Sequence, residues 1–360
     1  MDNGRSFSVE ELVTAAYEAI LCRDPDKSGF LNNVKAINFG MPVVDFFRNL
    51  INSDEFAQKN KILRIDKWEL PDLTSCRPER YSRLDDGSTV YFAEADADFE
   101  FLESSITNYH YYDSLGVWSP AIDLDKRLIA AIVAGLGARR SLEIGCFSGP
   151  VLTELNNRGV DAVGIDISHL AFVLADPSIR SKIFYGDLLS LNLDGRFDVV
   201  YGMDILEHLS PLKLGAYIDK VENLVADNGY VFINSPIFGN DDIFGCVFSP
   251  YLPQWSSAKG SSFWRHVHCD AKGWPLHGHL VWAESSWWED IFCERGLVRD
   301  REIERRIHSL LAGFFEHSAP ARKAFYVLKH KGHNLPNGRV VDALEREIGA
   351  VLEGQSCDAE

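Results

Sequence analysis

The chain has 360 residues, 46% of them hydrophobic and 25% charged, with a net charge of −17. That balance is typical of a soluble globular protein of one to three domains, and it speaks against a broad nucleic-acid face, which needs clustered basic residues. Seven scattered cysteines without a C-x-x-C pair read as reduced thiols rather than a disulfide framework or zinc site. No apolar run reaches membrane-spanning length and no signal-type core opens the chain, so a cytoplasmic location is expected.

Residues 1–60 read as a helical accessory module. Ser8 is the expected N-cap, with Glu10 and Glu11 in the first turn and Leu12, Ala16, Ala19 and Ile20 at helical spacing. A polar turn, Arg23 to Gly29, separates this from a second helix through Phe46, Phe47 and Leu50. The pattern Tyr17…Leu21-x-Arg23-x-Pro25-Asp26…Gly29…Gly40…Ser53-x-Glu55-Phe56 resembles a short all-helical bacterial module of unassigned function. The resemblance implies company with carbohydrate-related enzymes, and a docking or homo-oligomerisation role. Residues 61–118 read as linker and covering segment: a strand at Ser88–Phe92, a helix at Phe99–Ile106 and an aromatic loop from Tyr109 to Trp118.

Ser119 and Pro120 are placed as N-cap and first residue of a helix carrying Leu124, Leu128, Ile132 and Leu136. The apolar run Leu142–Ile144 then ends in Gly145, and Gly149 opens a helical pattern from Pro150, which reads as strand, tight turn and helix start. A second strand, Asp161 to Asp166, ends in an acid about 20 residues on, where a ribose is held through its hydroxyls. A third, Lys182 to Asp187, ends in another acid; a fourth, Phe197 to Gly202, runs into Met203-Asp-Ile-Leu-Glu-His-Leu209. All four deliver polar groups to one sheet edge, where open α/β sheets bind ligands.

From Leu142 to Pro236 the chain resembles the class I S-adenosylmethionine-dependent methyltransferases. The resemblance implies a Rossmann-like, doubly wound, seven-stranded sheet whose last strand is antiparallel, over residues 119–332. It implies S-adenosyl-L-methionine as cofactor, held by Glu143, Gly145, Cys146 and Gly149 of the first motif, by Asp166 and Ile167 at the ribose, and by Asp187 and Leu188 at the adenine. Met203 and Asp204 follow the fourth strand, and Tyr112 is expected over the methionine end. One departure is Phe147, where the family has a middle glycine; the same residue argues against a dinucleotide, whose pyrophosphate needs close backbone approach there.

Methyl transfer to an oxygen needs alignment and a base. His208, just past the fourth strand, is the first candidate for the base; its competing role is a helix-cap histidine paired with Glu207 or Asp204. The sheet pattern breaks over an insertion at about 237–285, which supplies His277, His279 and Asp241 as further catalytic candidates. Gly278 permits a turn that brings both histidine rings to one pocket. Six of the eight tryptophans lie between Trp255 and Trp288, and flat indoles suit sugar rings, so the insertion is expected to form the acceptor site for a sugar hydroxyl of a polysaccharide or glycoconjugate; a hydrophobic cap over the cofactor or a subunit interface is its rival, and the alternatives for the chain are a small-molecule, lipid or protein acceptor or a non-catalytic cofactor-fold binding module. The run His266-x-His268 has no second ligand pair at finger spacing, and no metal is expected. A terminal amphipathic helix closes the chain within 333–360.

Overall fold

The structure is a computed structural model that describes residues 8–21, 23–51, 53, 70–109, 111–114, 121–168, 171, 174–249, 252, 255 and 263–357. It comprises two compact units, residues 1–69 and 70–360. From Leu70 onward, the stretch expected as linker and covering segment is part of the larger unit.

In the smaller unit, α1 (Val9–Leu21), α2 (Lys27–Asn38) and α3 (Val43–Ile51) enclose Val13, Ala16, Tyr17, Leu21, Phe46 and Leu50. The Ser8 side chain accepts from Glu11 N at 3.1 Å while Glu11 returns a carboxylate to Ser8 N at 2.9 Å, a reciprocal cap. Helix α2 begins inside the expected polar turn, at Lys27, and runs on to Asn38. Asp26 caps it by accepting from Ser28 N and Gly29 N, and Phe30, Val34 and Ile37 supply a thin apolar stripe. The Ser53–Phe56 stretch lies, beyond Ser53, outside the described residues.

The larger unit begins with β1 (Tyr81–Arg83), β2 (Thr89–Phe92), α4 (Asp96–Asn108), one helical turn at Tyr111–Ser114 and α5 (Leu124–Gly135). Asp123 caps α5, its side chain accepting from Lys126 N; the cap expected at Ser119 lies outside the described residues. There follow β3 (Arg140–Ile144), α6 (Pro150–Asn157), β4 (Asp161–Asp166), β5 (Ile183–Tyr185), β6 (Phe197–Met203), α7 (Leu214–Leu224) and β7 (Val225–Asn234). After the insertion, which contains β8 (His266–Cys269), come α8 (Ser285–Glu294), β9 (Leu297–Arg299), α9 (Arg301–Leu310), β10 (Phe325–His330) and α10 (Asn337–Cys357). The strand expected to run to Ile303 stops at Arg299 because Asp300 caps α9, accepting from Ile303 N.

The seven-stranded sheet has the order β9-β10-β7-β6-β3-β4-β5. Strands β3 to β7 pair in parallel, and β10 runs antiparallel to both β7 and β9. Alternation along each strand feeds two cores: Val199, Tyr201 and Phe232 face α5, α6, α9 and α10, whereas Val200, Val231 and Ile233 face α7, α8 and the insertion. This is the doubly wound sheet with one antiparallel strand that the sequence implied.

A second, three-stranded antiparallel sheet, β1-β2-β8, joins the segment before the large sheet to the insertion, with Phe92 opposite His266 and Thr89 opposite Cys269. Its core holds Tyr91, Phe99, Leu102, Tyr111 and Trp274. No helix among the described residues is long and apolar enough to cross a membrane.

Candidate functional site

A cavity of about 1020 Å³ opens at the carboxyl ends of β3, β4 and β6. It sits at the upper end of the roughly 300–1,000 Å³ usual for ligand pockets, enough for a cofactor and an acceptor together. Glu143, Gly145, Cys146, Asp166, Ile167, Asp187, Leu188, Met203, Asp204 and Tyr112 all line it, and so do His208, His277 and His279.

The turn after β3 is shaped by backbone. Gly149, at φ +73°, is the N-cap of α6, and a side chain there would meet Ile179 Cδ1 at 2.5 Å. Gly149 therefore sets the turn and does not line the cavity. Phe147 takes φ +47° without being glycine, and its N–H donates to Asp166 Oδ2 at 2.7 Å. Ser168 N donates to Asp166 Oδ1 at 2.7 Å, so two amides aim the carboxylate that ends β4. Asp187 accepts from Leu189 N at 2.9 Å, and the Tyr217 hydroxyl of α7 lies 2.9 Å from both its carboxylate oxygens. Glu143 is buried, accepts from the Tyr201 hydroxyl at 3.1 Å, and has its pKa pushed up to about 8 by burial.

Asp204, at φ +54°, turns the chain after β6. Arg322 fixes it, donating to Asp204 at 2.5 Å, to Asn234 Oδ1 at 2.8 Å and to Asp125 of α5 at 3.1 and 3.2 Å. The next residues form a 3₁₀ turn, Leu206–His208. Leu280 N and Val281 N both donate to the Glu207 carbonyl, at 2.7 and 3.1 Å, which docks the 277–281 loop onto that turn. His277 sits at φ +57° and Gly278 at φ +77°. A Cβ on Gly278 would meet Tyr112 Cε1 at 2.6 Å and His208 Nδ1 at 3.2 Å, so the loop passes those rings only as glycine.

The result is a cluster of histidines. His208 and His279 lie 4.8 Å apart edge to face, His277 is 5.7 Å from His279, and Tyr112 stands over His208 at 5.3 Å. His208 Nδ1 lies 3.1 Å from the Gly278 carbonyl, so it carries the proton and Nε2 keeps its lone pair. Burial lowers the pKa of His208, and lowers that of His279 further, with the neighbouring histidines adding to the effect at His279. Both rings are neutral near pH 7. Glu207 is buried and is pushed well above the carboxylate range by burial and then by Asp204.

Two expectations are corrected. Asp241 does not reach the cavity; it is buried in a network with Ser285 and Arg299, the latter donating at 2.8 Å, and Arg299 also pairs with Glu304 at 2.6 Å. Despite burial, Arg299 and Ser285 hold Asp241 at a pKa of about 2, the state of a structural ion pair. The tryptophans do not wall an acceptor site either. Trp274 is fully buried, stacks on Tyr111 at 5.0 Å and donates to the Pro71 carbonyl at 2.8 Å. Trp288 and Trp255 are also core residues, and among the described tryptophans Trp282 alone lines the cavity. Glu207 entered the sequence reading only as a cap partner; its proximity to His279 depends on a loop some 70 residues away and had no local signal.

The sequence profile of the family described as "Methyltransferase domain" matches residues 121–269. This stretch is a methyltransferase domain. Its sheet has the seven strands and the single antiparallel strand that the resemblance to the S-adenosylmethionine-dependent class I group implied. The methyltransferase domain is similar to the ubiquinone biosynthesis O-methyltransferase of Cupriavidus pinatubonensis, 27% identical over 136 residues, covering 35% of this chain and 54% of that protein. The protein of the same name from Paraburkholderia phymatum is 33% identical over 110 residues, 28% of this chain and 46% of that one. The chain thus spans about half the length of the curated relatives it matches. The CcbJ methyltransferase from Streptomyces caelestis is 19% identical with a TM-score of 0.39, covering 58% of this chain and 90% of that one.

Proposed function

We propose that the chain is an S-adenosylmethionine-dependent O-methyltransferase, cytoplasmic, whose acceptor is a sugar hydroxyl of a polysaccharide or glycoconjugate. The observation that carries the oxygen acceptor is His208: a neutral imidazole on the cavity wall, its Nδ1 proton engaged by Gly278 and its Nε2 left as a base. When bound, the cofactor supplies a sulfonium methyl, whose C–S electron pair stays on sulfur as the new C–O bond forms. Asp166 and Asp187 hold the nucleoside end, and Glu143 lies beside the turn that faces the methionine end. Tyr112 and the 277–281 loop line the side of the cavity where the reacting atoms would meet. His208 takes the proton that leaves the acceptor oxygen, a role worth roughly 10²–10⁴-fold in rate.

The sugar acceptor is supported by the mixed wall around these histidines. Trp282 and Phe248 offer flat apolar faces, and His277 and His279 offer polar edges. The name of the curated relatives, O-methyltransferase, agrees with an oxygen nucleophile. Docking or self-association through the helical unit belongs to the same reading; that unit keeps Phe39 82% exposed and Leu31 55% exposed.

Incubating the protein with methyl-labelled S-adenosylmethionine and fractionated cell extract tests the acceptor. Label is expected in a fraction whose counts are released by sugar hydrolysis; label confined to protein or to sugar-free lipid rejects the acceptor class. His208→Ala is expected to lower transfer roughly 10²–10⁴-fold with cofactor affinity retained, measured by turnover alongside calorimetry.

A further inference from the structure

Glu207 is the starting point. Its side chain is 0% exposed, and only one carboxylate oxygen is satisfied. Ser235 donates to Oε2 at 2.7 Å, while Oε1 has no hydrogen-bond partner among the described residues. A buried carboxyl oxygen left without a partner is costly and is commonly explained by a bound water or ion. His279 faces that oxygen, its Nε2 4.0 Å away, and its Nδ1 is buried with no hydrogen-bond partner among the described residues. His208 completes the triangle, and the donor atoms of the three residues lie within 4.8 Å of one another.

The chemistry of this donor set is specific. Two imidazoles and one carboxylate around a cation with bonds of about 2.1 Å stand roughly 3–4 Å apart; the three side chains need close by only a little to reach that spacing. A metal-ligating histidine almost always gives its other N–H to a carbonyl or carboxylate, which fixes the tautomer. His208 already does so through Gly278. The anchoring is rigid as well, because Leu280 N and Val281 N tie the His279 loop to the Glu207 carbonyl. Neighbouring Asp204 stays outside the set, since Arg322 holds it at 2.5 Å.

We propose that Glu207, His208 and His279 form a binding site for a divalent cation of the manganese, iron or zinc class, with its remaining coordination positions open to the cavity. Magnesium and calcium fit less well, because they take oxygen ligands and two of these three donors are nitrogen. His208 and His279 line the cavity, so the open positions face the place where the acceptor oxygen must sit. The catalytic consequence rests on the methyltransferase reading. The cation makes the acceptor hydroxyl more acidic, its proton passes to solvent, the oxygen pair forms the C–O bond, and the C–S pair remains on sulfur. His208 then promotes deprotonation as a ligand instead of as a free base.

The test is calorimetric, on the full chain after chelator treatment and dialysis, titrated separately with Mn²⁺, Zn²⁺ and S-adenosylhomocysteine. One equivalent of Mn²⁺ or Zn²⁺ is expected to bind the wild type, and Glu207→Gln and His279→Ala are each expected to weaken it at least tenfold while S-adenosylhomocysteine affinity holds within about twofold. Circular dichroism of each variant checks its fold. Absence of binding by both metals to the wild type overturns the site whatever the variants do, and so does metal binding that the folded variants leave unchanged. Failure of S-adenosylhomocysteine to bind would sink the methyltransferase reading separately and leave the cation result standing.

Discussion

On the cofactor side of the cavity, the ligand-facing residues come from strand ends and turns between Glu143 and Asp187, and backbone amides of those turns aim Asp166 and Asp187. On the acceptor side, Tyr112, His208 and the pair His279 and Trp282 come from three stretches of chain, brought together by the β1-β2-β8 sheet and by two backbone hydrogen bonds to the Glu207 carbonyl. The first side is held mainly by local backbone geometry, the second by long-range packing. Damage to the first should therefore be felt as lost affinity for one ligand, and damage to the second as lost fold or lost turnover.

The largest expected effect lies on the cofactor side. Asp166→Ala removes the proposed acceptor of two ribose hydroxyls, each worth about 1.5–3 kcal/mol, so S-adenosylhomocysteine affinity should fall roughly 10²–10⁴-fold in calorimetry. Unchanged affinity would remove Asp166 from the site. Next comes the acceptor side, where Trp274→Ala should cost about 3–5 kcal/mol of stability, read by denaturant unfolding. Trp282→Ala, on the cavity wall, should cost less stability and more transfer. If the two tryptophans behaved alike, the contrast between core and wall would fail.

Glu143 offers a pH test of the cofactor side. Its folded pKa of about 8 stands above the usual 4.5, so the folded chain binds the extra proton. The stability this proton contributes is complete below about pH 4.5 and is lost as pH rises through 8, on the order of a few kcal/mol. Glu143→Gln should flatten that dependence and be more stable than the wild type above pH 8 in thermal melts. The smallest effect belongs to Tyr217→Phe, which removes a hydroxyl 2.9 Å from Asp187. Cofactor affinity should change by about 1 kcal/mol or less, and a larger loss would mean that Tyr217 contacts the adenine itself.

The same contrast explains what could be read in advance. The turn after β3 was legible because Gly145, Gly149 and the following acids carry their geometry in local spacing, and β3 to β7 because short apolar runs end in polar groups. Helix α2 was missed because only Phe30, Val34 and Ile37 mark its inner face. Asp241 was misplaced because an acid pair after a strand looks like a site, while the residue that neutralises it, Arg299, stands 58 positions away. The tryptophan-rich stretch was taken for a sugar wall because composition does not say which face an indole turns; Trp274 turns inward, onto Tyr111. The pairing of β2 with β8 spans about 175 residues, and no window of sequence contains both partners.

That pairing also decides where the chain can be shortened. A fragment started at residue 119, where the helix before the first motif was expected to begin, would keep every strand of the large sheet yet strip β2 from β8. The row of backbone donors and acceptors on β8 would then face solvent, an invitation to pair with other chains, and Trp274 would lose Tyr111 and the Pro71 carbonyl from its surroundings. A fragment started at Leu70 keeps both partners.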